Sequence, residues 1–154
     1  MADQAKKSLQ DTFAHRFGEP PPAHEPTAND GTLAYLAGRS SHRRYQDRPV
    51  DASLIETLSA AALCAPTKSD LQQSDIVVVQ DPALRNAING LFPEGSWIAK
   101  APAFLVFCGN NRRQRQIHQR RDRPFANDHL DAFFNASVDA AIVLATFVVA
   151  AERV

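Results

Sequence analysis

From Leu130 to Val154 the chain is apolar on almost every side of a helix. At helical spacing, Leu130, Phe133, Phe134, Ser137, Ala141, Leu144, Ala145 and Val148 fall on one stripe. Ala132, Ala136, Ala140, Val143, Phe147 and Ala150 make much of the remaining surface apolar as well. Such a segment, about 37 Å long if wholly helical, has to be wrapped on several sides. A chain of 154 residues rarely achieves that alone, so the segment predicts a central helix that also meets a second copy of the chain. Its abundant alanines allow close approach of neighbouring elements. Asn135, Asp139 and Thr146 interrupt the run, and a carboxylate in mid-span is costly in hydrocarbon, so the reading is a buried helix of a soluble protein rather than a membrane anchor. Asp131, Asn135 and Asp139 recur every four residues and define a stripe of their own. That stripe faces either solvent or a polar pocket or partner, because a buried carboxylate without a partner is destabilising.

The rest of the composition fits one ordinary globular domain, with 44% hydrophobic and 22% charged residues and a formal net charge of zero. A balanced charge argues against general nucleic-acid binding. Cys64 and Cys108 each end an apolar segment and read as buried, reduced thiols, which points to a reducing cytoplasm. Met1 to Lys7 leads into no apolar core, so no signal peptide is expected. The histidines at 15, 24, 42, 118 and 129 show no metal-ligand spacing, and GxGxxG, GxxxxGK[ST], HExxH and paired CxxC patterns are absent from the sequence.

Along the chain, residues 8–30 carry Pro20-Pro21-Pro22 and Pro26 and predict an extended arm, so residues 1–30 are set apart from a domain over 31–154. A short helix is expected from Thr32 to Gly38. Asp51 caps another, with Leu54, Ile55, Leu58, Ala61 and Ala62 as its apolar face and Pro66 as its stop. Ile76 to Val79 reads as a strand buried on both faces, Asp81-Pro82 opens a helix with Leu84, Ile88 and Leu91 on its core side, and Ala103 to Phe107 is a second buried strand. The order predicts an α+β fold, a mixed β-sheet flanked by helices. Between Arg112 and Arg123 lie six arginines, which read as a solvated excursion, with binding of a nucleotide phosphate or nucleic acid as the alternative.

Two segments carry candidate chemistry. Arg39-Ser40-Ser41-His42-Arg43-Arg44-Tyr45 packs cations and hydroxyls as a phosphate grip does, although alone it reads first as a solvated basic turn. The loop Ala65-Pro66-Thr67-Lys68-Ser69-Asp70-Leu71-Gln72-Gln73-Ser74-Asp75 feeds the first strand and offers hydroxyl, amide, ammonium and carboxylate groups. A flavin ring needs donors at its carbonyls, an acceptor at its ring N–H and a contact near its redox nitrogen, and this loop contains such groups.

Together the two segments resemble the nitroreductase family of FMN flavoproteins. The family pattern R-x-S-x-R/K-x-F/Y followed by D-x-P-V is matched by Arg39 to Tyr45 and Asp47-Arg48-Pro49-Val50, and A-P-S/T-x-x-x-x-Q by Ala65-Pro66-Thr67 to Gln72. Ala101-Pro102-Ala103-Phe104-Leu105-Val106 and Asp139-Ala140-Ala141-Ile142 match the later strand and long-helix motifs. The resemblance covers about residues 33–154 and implies an α+β fold incomplete at its C-terminus, since the family's later G-L-G stretch and late basic residue have no counterpart here. It implies a homodimer with FMN between subunits, NAD(P)H as electron donor and a nitroaromatic, quinone or related small molecule as acceptor, reached by a ping-pong hydride mechanism. It implies further that Arg39, Ser40, Ser41 and Arg43 hold the FMN phosphate and ribityl end, and that Pro66, Thr67, Lys68, Ser69 and Gln72 lie along the ring. Asp70 stands where the family often has Asn, and a carboxylate there cannot donate to the ring. A non-catalytic flavin-binding or dimerisation module, and a dehalogenating or flavin-cleaving relative, are the alternatives. No nucleic acid or membrane partner and no metal are expected.

Overall fold

The computed structural model describes residues 8–19, 30–94 and 96–154. These form two compact units, Met1–His42 and Arg43–Val154.

In the first unit, α1 (Leu9–Phe17) packs on α2 (Asp30–Gly38). The start of α1 is fixed by a reciprocal cap. The Asp11 amide donates to Ser8 Oγ at 3.1 Å while the Ser8 amide donates to an Asp11 carboxylate oxygen at 3.3 Å. Residues 9–17 are therefore helical rather than part of an extended arm, with Leu9 and Thr12 turned inward. Gly18 ends the helix at φ +85°, a left-handed conformation that suits glycine. The prolines at 20–22 and 26 lie outside the described residues.

The second unit is built around its last helix, α6 (Leu130–Ala151). Helix α3 (Ala52–Leu63) and the strands β1 (Ser74–Val78) and β2 (Leu105–Gly109) pack against it. The two strands pair antiparallel, with Ile76 opposite Phe107 and Val77 opposite Val106. They are the whole sheet among the described residues. The Phe107 ring meets Phe147 of α6 edge-on at 5.4 Å between centroids. Neither strand is buried on both faces as their β-branched runs suggested: α6 lies against the sheet, and Val77 and Val106 form an exposed cross-strand pair.

Local signals set most of the remaining boundaries. Asp51 accepts from the Ser53 amide at 2.8 Å and starts α3, whose Leu58 and Ala62 are buried while Ala61 is exposed. Asp81 caps α4 (Pro82–Asn89) with proline in its first turn. The Arg85 guanidinium ties α4 to the following 3-10 turn (Trp97–Lys100) through the carbonyls of Ile98 and Ala101, at 2.7 and 3.0 Å. Leu84 and Leu91, expected on the core side, are exposed, Leu91 at 81%. Cys64 is exposed and Cys108 half-buried, so neither thiol is the buried group the sequence suggested. The arginine-rich segment is solvated, with all six arginines exposed, and residues Arg112–Arg120 form α5.

On α6 the expected apolar stripe is the exposed one. Leu130, Phe133, Phe134 and Leu144 are open, Phe133 at 67% and Phe134 at 54%. Ala132, Asn135, Ala136, Asp139 and Val143 are buried instead. By length and composition α6 is the one helix among the described residues that could cross a membrane, yet its two buried polar residues face the domain.

Candidate functional site

Asp139 organises the loop that joins α3 to β1. It is 1% exposed, and its two carboxylate oxygens accept from the backbone amides of Lys68 at 2.7 Å and Gln73 at 2.9 Å. Charge-assisted bonds of that length are the stronger kind. One turn earlier Asn135 donates to Asp131 at 3.1 Å, and Asp131 also accepts from Asn127 at 2.7 Å and lies 3.9 Å from the Lys68 ammonium. The Asn127 amide, and after it Lys68, Asn135 and His129, hold the Asp131 carboxyl below the usual carboxylate range. The Lys68 ammonium also stands 5.9 Å from the Phe134 ring centre.

Helix α5 grips the loop from another direction. Gln114 donates to the Leu71 carbonyl at 2.9 Å, and Arg113 donates to the Gln72 carbonyl and side-chain oxygen, each at 3.3 Å. Gln73 reaches Asn111 through its side-chain amide. Between these anchors the chain turns through left-handed residues, Asp70 at φ 55° and Gln72 at φ 50°. The result is a loop fixed by its backbone whose side chains at Pro66, Lys68, Ser69, Asp70 and Gln72 are exposed, with Thr67 half-buried. An ammonium, a hydroxyl, a carboxylate and an amide thus stand side by side on a rigid frame. That set offers hydrogen-bond donors at Lys68 and Ser69, an acceptor at Asp70 and both at the Gln72 amide.

Arg43 sits elsewhere in the second unit. Its guanidinium lies 5.5 Å from the Trp97 ring centre, and Tyr45 packs against the same ring at 6.3 Å between centroids. With Arg44 and Lys100 these residues line an open cleft of about 820 Å³. Among the described residues no hydrogen bond or ion pair joins Arg43 to the loop at 66–72. Arg39, Ser40 and Ser41 belong to the first unit, just after α2. Arg39 is half-buried and its carbonyl accepts from Arg16, while Ser40 and Ser41 are exposed.

A family model described as the nitroreductase family matches residues 36–154. The chain belongs to the nitroreductase family. The FMN reductase [NAD(P)H] of Bacillus subtilis is 32% identical over 119 residues, which cover 76% of this chain and 48% of that protein. The oxygen-insensitive NADPH nitroreductase of Salmonella typhimurium is 37% identical over 86 residues, covering 56% of this chain and 36% of the relative. Among solved structures, B. megaterium NfrA2 superposes with a TM-score of 0.72 at 30% identity, over 78% of this chain and 49% of that one. The NADPH:FMN oxidoreductase of Vibrio harveyi, solved with NAD+, gives 0.69 at 26% identity, over 79% and 51%. The chain thus spans about half the length of the relatives it matches, and its α+β architecture is that of the nitroreductase fold.

Within this nitroreductase frame, sequence reasoning found the loop but missed what holds it. Arg113 and Gln114 were submerged in a run of basic and amide residues, and both act on backbone carbonyls of the loop, so no side-chain pattern marks them. Arg115 was equally hidden. It forms a two-bond pair with Asp128, at 2.8 and 2.6 Å, that ties α5 to the turn before α6.

Proposed function

We propose that this nitroreductase-family chain is part of an FMN-dependent oxidoreductase that takes electrons from NAD(P)H and passes them to a nitroaromatic, quinone or related acceptor in a ping-pong cycle. The observation that carries the reading is the loop at 66–72, pinned through its backbone to Asp139 and Gln114 with a mixed set of polar side chains left exposed. Its match to the family's A-P-S/T-x-x-x-x-Q motif and the names of the relatives support the same reading.

In this proposal Pro66, Thr67, Lys68, Ser69, Asp70 and Gln72 lie along the isoalloxazine ring. Lys68 and Ser69 donate to ring carbonyls, and Asp70 accepts from the ring N–H, a role open to a carboxylate where a donor's role is not. Arg39, Ser40, Ser41 and Arg43 hold the phosphate and ribityl end, on the strength of their motif. When bound, FMN supplies the hydride chemistry; the chain's own residues bind it, orient it and limit water. The exposed face of α6, with Leu130, Phe133, Phe134 and Leu144, is covered by a second copy of the chain, giving a homodimer. A soluble, cytoplasmic protein is the setting this chemistry implies.

Arg43→Ala in the full-length natural protein tests the phosphate assignment. Loss of one charged hydrogen-bond partner costs roughly 1.5–3 kcal/mol, so FMN affinity should fall by about one to two decades. An unchanged dissociation constant by fluorescence titration would remove Arg43 from the site.

A further inference from the structure

We infer that Asp139 is the positioning residue of the flavin loop: it sets the shape of residues 68–73 before any flavin arrives. This rests on the flavin reading of that loop. The loop contains two left-handed residues, Asp70 and Gln72, neither of them glycine, and such a conformation persists only where the surroundings over-determine it. The two amides bonded to Asp139, those of Lys68 and Gln73, stand on either side of these two residues. A single carboxylate therefore fixes both ends of the strained segment.

The geometry excludes a looser role. Asp139 is buried, and no cationic side chain reaches it among the described residues; its two hydrogen bonds are to loop backbone. It sits on the same face of α6 as Asn135, Ala136 and Val143, so the helix that anchors the sheet also carries the loop's template. Gln114, on α5, holds Leu71 between the two anchored amides, which leaves the segment little freedom to turn its side chains inward. Asp139 touches neither substrate nor cofactor in this account. It acts through the backbone of Lys68 and Gln73.

The test combines amide hydrogen exchange with flavin titration in the full-length natural protein. In the wild type, the Lys68 and Gln73 amides should already be protected without FMN, and FMN should add little. Asp139→Asn keeps size and shape but places an NH2 group against one of the two donating amides. Exchange at that amide should rise at least tenfold, and the FMN dissociation constant should rise at least tenfold in the folded protein. The midpoint potential of the flavin that still binds should move as well, which a residue that only stabilises the fold would not cause. Folded Asp139→Asn protein with wild-type affinity and potential would overturn the proposal. So would wild-type amides protected only after FMN is added, a measurement that holds even if the variant fails to fold. Wild-type protein with no affinity for FMN would instead overturn the function reading itself, and this proposal with it.

Discussion

A methyl group added at Gly109 would lie 2.9 Å from the backbone carbon and oxygen of Ala136 and 3.1 Å from its Cβ. The end of β2 and the middle of α6 touch backbone to backbone there, and neither side can yield as a flexible side chain would. Overpacking of this kind costs about 1–3 kcal/mol, against a gain of about 0.4–1 kcal/mol from a less flexible unfolded chain, so the clash wins. Gly109→Ala should lower the melting temperature by about 2–4 °C per kcal/mol for a chain of this size. Gly31→Ala, in α2 with nothing within 4 Å of the new carbon, should leave it unchanged or raise it, and differential scanning fluorimetry of the pair checks both. Asp131 gives a pH signature. Its carboxyl is held low first by the Asn127 amide, then by Lys68, Asn135 and His129. A depressed carboxylate contributes stability above its ordinary value, about 4, and loses that contribution as pH falls through the folded value. Asp131→Asn should therefore be less stable than wild type at pH 7, and the gap should close in acid. A gap that stays constant from pH 7 down to acid unfolding would show that Asp131 contributes nothing through its charge.

Helix α6 is the element on which both the fold and the site depend. Its exposed row should tolerate charge within one subunit: Phe134→Lys places a cation where the ring is already 54% open, so thermal stability should fall by less than the cost of a core substitution, while self-association should weaken. Sedimentation velocity at low micromolar concentration reads the second effect, and an unchanged sedimentation coefficient would place the subunit contact elsewhere. The starts of α3 and α4 were legible in the sequence because their caps are local: Asp51, and Asp81 with Pro82, can each be read within a few residues. The inward face of α6 was not. A helix apolar nearly all round offers no contrast, and the choice was made by Asp139, whose partners are backbone amides more than sixty residues earlier. The polar stripe of Asp131, Asn135 and Asp139 was visible; Asn135 and Asp139 are buried against the domain, while Asp131 at its start is half-buried. The capping box of α1 was present as Ser8 and Asp11 but was overshadowed by the prolines that follow.

At the scale of the whole molecule, the chain has the nitroreductase fold, its α3–β1 loop is held by Asp139 and Gln114, and in the proposed function that loop forms one wall of an FMN site completed between two copies. The motifs at Arg39 to Arg43 and Ala65 to Gln72 made the flavin reading available from sequence, whereas the fixing of the loop by α5 and α6 required the fold. Dimer and cofactor are coupled in this account, since the exposed row on α6 and the loop lie on neighbouring faces of one helix, with Phe134 beside Lys68. The most direct test is sedimentation of the full-length natural protein mixed with FMN, followed at once by protein absorbance and by the blue absorbance of flavin. The account predicts that flavin travels with a dimer, about one FMN per subunit. A monomer that carries flavin would contradict the shared site, and protein of any size that sediments without flavin would contradict the central claim.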